Sequence, residues 1–239
     1  MKLQPFRSRA AAVAALLLAL PAASVTIYDN GGPSNLNIPS DLDDLGNIPG
    51  IELPIILCDD FALVVPSLLQ DVHWWGTYLA GVPVGLPDDD FRLELFADIG
   101  GAPSLSPFFS LNLGDVGRTD TGTTDIMGNT IFAYSADLAT PVSLEADTTY
   151  YISIANNTNA SLSTWLWAAT NETDRPGYNL RIGDGLPWMD MAVPPNLAFN
   201  LTGTPDTPTT IPEPATLSLF GLCLAGLLSK CIQRQSRQI

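Results

Sequence analysis

The chain has 239 residues, of which 46% are hydrophobic and 15% are charged. This length supports one domain with a substantial core, or two small domains. The formal net charge is −15, and six of the ten basic residues lie close to the two ends. A nucleic-acid-binding protein is excluded, because the rest of the chain has no basic surface that could displace the counterions of a phosphate backbone.

Residues 1–24 have the pattern of a secretory signal peptide. An unbroken apolar run at residues 10–20 follows three basic residues, Lys2, Arg7 and Arg9. Small residues come next and suit cleavage by signal peptidase after Ala23 or Ser24. At about 1.5 Å per helical residue, this run is too short to cross a bilayer core of about 30 Å. The pattern therefore predicts export and not a membrane anchor.

Residues 25–202 are predicted to form an acidic β domain. Between residues 25 and 210 there are 20 Asp and 4 Glu against 4 Arg and no Lys. Asp favours turns whereas Glu favours helices, so this bias indicates a loop-rich β structure. Apolar and polar residues also alternate, as in Phe91, Leu93 and Leu95 against Arg92 and Glu94, which is the period of a half-buried strand.

The strand pattern predicts an all-β fold, an antiparallel β-sandwich of jelly-roll type. Short strands with one apolar face need a second sheet to cover that face. The Pro- and Asn-rich stretch Gly32–Pro54 is expected to be a loop draped over one end, and Asp120–Gly122 is expected to be a turn. Candidate strands cover residues 25–28, 61–65, 70–79, 91–97, 108–113, 130–137, 142–146, 150–154, 164–167, 178–182 and 197–202.

The C-terminal part of the chain is predicted to contain a linker and a membrane segment. Residues 203–211 are rich in Pro and Thr and have nothing to bury, so we expect them to be extended. Residues 212–239 comprise the triplet Pro212-Glu213-Pro214, an apolar segment and a sparse basic end with Lys230, Arg234 and Arg237. An apolar helix counted to Ile232, with Lys230 snorkelling, would span about 27 Å, close to a bilayer core, with the basic end on the cytoplasmic side.

This C-terminal arrangement of triplet, apolar helix and basic end resembles the PEP-CTERM sorting signal of Gram-negative bacteria. The resemblance implies that an exosortase, a membrane-embedded transpeptidase, recognises Pro212–Pro214. It also implies a precursor held transiently in the inner membrane and then exported to the cell surface or an exopolysaccharide matrix. The alternative reading of the same residues is an ordinary single-pass tail anchor.

Part of the predicted β domain resembles a β domain that recurs in PEP-CTERM proteins. The resemblance is carried by the segments Asp59-Asp60-Phe61, Trp74-Trp75-Gly76 and Asp90-Phe91, and by the turn Gly100–Pro103. It implies an extracellular sandwich and brings no known catalytic residues with it.

Catalytic motifs are not found in the sequence. His73 is the only histidine, so a Ser-His-Asp triad would have to use it. No nucleophile motif accompanies it, which favours a structural histidine on a sheet face beside Trp75. With Cys58 as the only cysteine of the β domain, no internal disulfide is expected there, and a zinc site lacks ligands. We therefore predict no catalytic residues.

Clustered aspartates raise the possibility of a calcium site, because Ca²⁺ binds six to eight oxygen ligands. No cluster has the spacing of an EF-hand loop. The alternative is that these residues are solvated loop carboxylates that keep the domain soluble. The candidate ligands are Asp59, Asp60, Asp88, Asp89 and Asp90.

Tryptophans raise the possibility of a sugar-stacking surface. Adjacent Trp74 and Trp75 must point to opposite faces of a strand, so one is expected in the core and the other on the surface. Trp188 is expected in a loop. Trp75 and Trp188 are therefore the candidate stacking residues, and the alternative for both is core packing.

The sequence thus predicts an exported surface or matrix protein with a structural or adhesive, non-enzymatic β domain. Its expected partners are signal peptidase, an exosortase, the inner membrane and extracellular polysaccharide. A secreted carbohydrate-binding module that uses exposed tryptophan and calcium is the alternative. A secreted hydrolase that uses carboxylates or His73 is a third hypothesis.

Overall fold

The computed structural model describes residues 24–43, 53–79, 88–158, 163–171, 177–191 and 195–206. Within these residues the chain forms strands and no helix. The strands are β1 Val25–Asp29, β2 Pro33–Pro39, β3 Ile56–Ala62, β4 Ser67–Tyr78, β5 Phe91–Ala97, β6 Phe109–Gly114, β7 Thr119–Thr124, β8 Thr130–Leu144, β9 Thr149–Asn156, β10 Trp165–Thr170, β11 Asn179–Arg181, β12 Met189–Asp190 and β13 Phe199–Pro205.

The first sheet is built around β4. One edge of β4 pairs with β8, which in turn pairs with β7. The opposite edge pairs first with β13 and then, near the end of β4, with β10. Strand β1 continues the sheet beyond β13, and β2 continues it beyond β10. All these pairs are antiparallel.

The second sheet has the order β12-β11-β3-β9-β5-β6, again with antiparallel pairs throughout. Its centre is β9, whose residues pair with β3 on one side and with β5 on the other. The apolar positions of β5 alternate as expected, with Phe91, Leu93 and Leu95 in the core.

The two sheets pack face to face over one aromatic core. Phe91 of the second sheet makes edge contacts with Trp74 and Trp165 of the first sheet, at ring-centroid distances of 5.2 and 5.1 Å. All three side chains are 0% exposed. Aromatic rings bury a large apolar area and prefer such edge-to-face contacts. This packing confirms the predicted all-β sandwich.

Three local predictions are wrong. The stretch Gly32–Pro54 is not simply a loop, because Pro33–Pro39 forms β2 and pairs with β10. The stretch Asp120–Gly122 lies within β7 instead of forming a free turn, and residues 130–144 form one strand instead of two. Pro-rich β2 is tolerated because it lies at a sheet edge, where a missing N–H donor costs no ladder bond.

The predictions for both chain ends fall outside the described residues. They are the signal peptide up to residue 23, most of the linker and the sorting signal with its apolar helix. At the start of the predicted linker, residues 203–205 are instead the end of β13 and pair with β4. In the part of the chain that the structure describes, no helix is long and apolar enough to cross a membrane. The one cysteine of the described residues, Cys58, is buried and free.

Candidate functional site

Trp74 and Trp75 are adjacent on β4, and their side chains point to opposite faces of the first sheet. Trp74 is 0% exposed and stacks on Tyr134 at 5.7 Å between ring centroids. Trp75 is half-buried and points to the other side of β4, because successive side chains of a strand alternate. The predicted division of the pair into one core and one surface residue is confirmed.

Trp75 lines a groove on this outer face, with a volume of about 620 Å³. We call it the Trp75 groove. Its walls come from β2, β4, β7 and β8 and from the residue after β10. The lining residues are Pro33, Ser34, Asn35, Trp75, Thr121, Thr123, Thr124, Ile131 and Asn171.

One wall of the groove is held in place by hydroxyl hydrogen bonds. The Thr121 hydroxyl donates to the backbone oxygen of Ile131 at 2.7 Å, and it lies 2.7 Å from the Thr123 hydroxyl. Since a hydroxyl has one proton, Thr123 must be the donor of that second bond. The backbone N–H of Ile126 donates to the backbone oxygen of Asn35 at 3.1 Å and joins the two walls.

A second cleft of about 330 Å³ contains His73. The His73 Nε2 atom lies 2.8 Å from Asp71 Oδ2, and Ser135 is the register partner of His73 on β8. In the described part of the chain, no hydrogen bond joins Ser135 to His73. The cleft is also lined by Arg118, whose Nε lies 3.0 Å from Asp89 Oδ2.

Trp188 lies on the outer face of the second sheet, so the structure does not bring the two candidate tryptophans together. Its ring makes an edge contact with Phe96 at 5.3 Å, and the guanidinium of Arg181 lies 4.5 Å from its centroid. Its Nε1 donates to the backbone oxygen of Ser104 at 3.1 Å. Trp188 thus packs partly buried over a small apolar cluster of Cys58, Phe96 and Tyr151. Its stacking role stays a prediction.

Asp59 is 1% exposed and connects distant parts of the chain. Its Oδ2 accepts hydrogen bonds from Asn30 Nδ2 at 3.0 Å and from the backbone N–H of Leu197 at 2.6 Å. Burial raises the pKa of this carboxyl to about 7, and the hydrogen bonds only partly offset that effect. Burial also raises the pKa of the neighbouring Asp60.

Asp89 belongs to a different buried network, at one end of the sandwich. Its Oδ1 accepts hydrogen bonds from the Tyr78 hydroxyl and, at 3.0 Å, from Asn156 Nδ2. Burial raises the pKa of Asp89, while Tyr78 and Arg118 act in the opposite direction. This network ties the ends of β4 and β9 to the segment that precedes β5.

The candidate calcium ligands therefore do not form one cluster, because they lie in different local environments. Asp59 and Asp89 accept hydrogen bonds within separate networks, and Asp88 and Asp90 are exposed. Over the described ranges, no group of three or more His, Cys, Asp or Glu side chains is arranged to hold a metal ion. The calcium role of these residues stays a prediction.

Sequence reasoning found Trp75 but missed most of the Trp75 groove. The walls formed by β2 and β7 lie in stretches that were predicted to be a loop and a turn. The runs of Ser, Thr, Asn and Pro in these strands are typical of loops. The only available signal was the alternation in Thr119–Thr124, where every second residue is a threonine.

Comparison with known protein families gives two matches. A family model described as a domain of unknown function (DUF7901) matches residues 36–203, which is more than half of the chain. A model of the PEP-CTERM protein-sorting motif matches residues 210–234, a range that includes Pro212–Pro214. No curated protein and no solved structure matches the chain.

Proposed function

Because the chain belongs to the DUF7901 family and ends in a PEP-CTERM sorting motif, we propose that it is a bacterial surface protein exported and processed through that motif. The single observation that carries this proposal is the motif at residues 210–234. The motif implies an exosortase as processing partner. The cell surface is the destination that this signal implies.

The proposed route has three steps. Signal peptidase removes residues 1–24 after translocation across the inner membrane of a Gram-negative cell. The apolar segment at residues 215–232 then holds the precursor in that membrane, with the basic end in the cytoplasm. The exosortase acts near Pro212–Pro214 and releases the β domain to the surface or to an exopolysaccharide matrix.

Mass spectrometry of the chain recovered from its native cell surface tests this route. We expect a chain that starts near Val25 and ends near Pro212–Pro214. Replacing Pro212, Glu213 and Pro214 together by alanine should leave the C-terminus at Ile239 and the protein in the membrane fraction. The matched control is Pro208→Ala in the linker, just outside the matched motif, which should be processed normally.

A chain that ends at Ile239 in the wild type, found only with membranes, would contradict exosortase processing. It would indicate a permanent tail anchor instead.

The β domain is proposed to act as a structural or adhesive module without enzymatic activity. The aromatic core, the antiparallel sheets and the buried hydrogen-bond networks support a rigid extracellular module. The competing hydrolase hypothesis depends on His73. A screen with ester, glycoside and peptide substrates that finds activity lost in His73→Ala would overturn the non-enzymatic proposal.

A carbohydrate-binding module is the second candidate function. The observation that favours it is the position of Trp75 within a cavity on the sheet surface, whereas Trp74, Trp165 and Trp167 are 0% exposed in the core. Ligand pockets combine an apolar or aromatic surface with a few polar groups that orient the ligand.

A further inference from the structure

We propose that the Trp75 groove binds an uncharged polysaccharide chain. The inference rests on the carbohydrate-binding role put forward above, and it adds the site, the ligand class and the direction of the chain. It follows from the charge of the groove, from its aromatic residue, from its hydroxyl and amide groups, and from the cleft that adjoins it.

The groove itself is uncharged within a strongly acidic domain. None of the nine residues that line it is Asp, Glu, Lys, Arg or His. A phosphate or carboxylate ligand would be expected to meet an Arg or Lys, which form the strongest hydrogen bonds to such groups. A cationic ligand would be expected to meet carboxylates, which are abundant elsewhere in the domain. The lining therefore favours a ligand without charge.

Trp75 provides the apolar surface of the groove. An indole ring combines a large flat apolar face with a single N–H donor, a combination that suits surfaces with one dry and one wet side. The C–H face of a sugar ring is an apolar surface that fits against such a ring. Trp75 lies on β4, a central strand that pairs with neighbours on both edges. Its half-buried ring is therefore presented on a rigid element.

The rest of the lining provides both donors and acceptors of hydrogen bonds. Thr123 gives its proton to Thr121, so the lone pairs of its exposed oxygen stay available as acceptors. Asn35 and Asn171 are exposed, and each amide offers two donors and one acceptor oxygen. A ligand with many hydroxyl groups, which both donate and accept, matches this mixture.

The His73 cleft extends the groove along the strand direction. His73 and Trp75 are alternate residues of β4, and Thr119 and Thr121 are alternate residues of β7. The two β4 residues are separated by about 6.5–7 Å along their strand, whereas the pairing of β7 with β8 shifts register after Asp120. Both strands pair antiparallel with β8, so they run in the same direction, and the two clefts follow one another on the same face. The combined site is long enough to favour a linear chain over a single sugar.

Arg118 does not make the second cleft an anion site. Its guanidinium is already engaged by Asp89 at 3.0 Å and packs over the ring of Tyr78 at 5.1 Å. Its charge is thereby balanced inside the domain. His73, the other basic side chain of this cleft, lies 2.8 Å from Asp71 Oδ2. Since both basic side chains are paired with carboxylates, the extended groove is expected to accept neutral sugar units at both ends.

Affinity electrophoresis of the full-length chain in gels with soluble polysaccharides tests the proposal. The probes are dextran, laminarin, xylan and hydroxyethylcellulose, with the anionic polysaccharide alginate as the charged comparison. We expect retardation by at least one neutral polysaccharide and none by alginate. Titration with the matching oligosaccharides should show affinity that rises from the disaccharide to the hexasaccharide.

Variants locate the binding surface. Trp75→Ala should weaken binding at least about tenfold, which corresponds to about 1.4 kcal/mol. Thr123→Val removes a hydroxyl at nearly constant volume and should weaken binding about threefold. Phe108→Ala is the control, because it removes an exposed aromatic side chain that packs on the second sheet and does not line the groove, and it should bind as the wild type does.

Three results would overturn the proposal. The first is no binding to any of the four neutral polysaccharides. The second is stronger retardation by alginate than by the neutral polysaccharides, and the third is equal binding by Trp75→Ala and the wild type. If circular dichroism shows that Trp75→Ala does not fold, the binding of Thr123→Val and Trp75→Phe is compared with that of the wild type instead. Failure here leaves the export proposal intact, because processing near Pro212–Pro214 is measured by mass and does not depend on the groove.

Discussion

Asp59 is a carboxyl group held almost entirely out of water. It lies on β3 and accepts hydrogen bonds from Asn30, just after β1, and from Leu197, just before β13. The cost of burying its charge exceeds what these bonds return, so its pKa rises to about 7. In the folded chain at mildly acidic pH, Asp59 is therefore a neutral acid that joins three segments.

This environment makes stability depend on pH. An unfolded Asp titrates near 3.8, so between about pH 4 and pH 7 the folded chain holds a proton that the unfolded chain has lost. The free energy of unfolding should therefore fall as pH rises through this window, by roughly 4 kcal/mol from this group. Denaturant titrations at several pH values measure this slope, and Asp59→Asn should make it shallower.

The matched control is Asp190→Asn, which changes an exposed carboxylate at the edge of the second sheet and should keep the wild-type slope. Parallel pH curves for Asp59→Asn and the wild type would contradict the assignment. Burial raises the pKa of Asp41 and Asp89 as well, and both add to the same slope. Asp184 acts oppositely only in stronger acid, because hydrogen bonding to Arg92 lowers its pKa and that stabilisation is lost as it protonates.

The burial of these particular aspartates was not predictable from their spacing. Asp59 and Asp60 are adjacent, yet only Asp59 is 1% exposed. In Asp88–Asp90, the middle residue is buried and its neighbours are exposed. Alternation along an extended chain puts adjacent side chains on opposite sides, but which side is the core depends on segments far away in the sequence.

The close pairing of β4 with β10 requires a residue without a side chain, which is Gly76. Gly76 is on the core side of β4, and Trp165 and Leu166 of β10 lie directly against it. A Cβ at Gly76 would lie 2.6 Å from Trp165 Cε2 and 2.7 Å from the backbone oxygen of Leu166. The indole cannot move aside, since it is 0% exposed and contacts Phe91, Tyr134 and Trp167.

We expect Gly76→Ala to lower the free energy of unfolding by about 2 kcal/mol or more through overpacking. Gly32→Ala is the control, because a Cβ there has nothing within 4 Å and its backbone is outside the left-handed region. That change should be neutral or slightly stabilising. Equilibrium denaturation of both variants measures the difference, and equal stability of the two would contradict the close approach at Gly76.

Strand boundaries show where element-level prediction works. The strands β5 and β9 were predicted closely, because their apolar residues recur at every second position. The strands β2 and β7 were missed, because their edge positions expose polar side chains on one or both faces. Pairing with β10 and β8, not an apolar pattern of their own, makes these segments strands.

At the scale of the whole molecule, the net negative charge destabilises the folded state. Residues 25–210 have a net charge of −20, and self-repulsion of like charges destabilises the folded state. Raising the ionic strength from about 0.01 M to 0.3 M shortens the Debye length from about 30 Å to well under 10 Å. We expect the unfolding midpoint of the full-length chain to rise by about 2–4 °C, equivalent to about 1 kcal/mol.

Thermal unfolding followed by circular dichroism in sodium chloride measures this effect. Sodium thiocyanate at the same ionic strength is the control, since both salts screen equally but only thiocyanate weakens apolar burial. An unfolding midpoint that rises with the concentration of either salt indicates screening of the net charge. An unfolding midpoint that does not change with ionic strength would contradict a repulsive contribution from the net charge.

The sequence by itself determined the sorting class and the fold class. The Pro-Glu-Pro triplet with its apolar and basic neighbours is a contiguous signal, and it was matched at residues 210–234. The period-2 pattern predicted an all-β sandwich, and the alternation rule placed Trp74 and Trp75 on opposite faces. These features depend on neighbouring residues only, so a local pattern suffices to predict them.

Only the tertiary structure decided what surrounds each of these residues. The Trp75 groove combines residues from Pro33 to Asn171, and Asp59 is buried by contacts with Asn30 and Leu197. Trp188 contacts Phe96, which lies in a strand far earlier in the chain. Burial, pKa and ligand access arise from long-range strand pairing, and no local pattern specifies which distant segment will supply the partner.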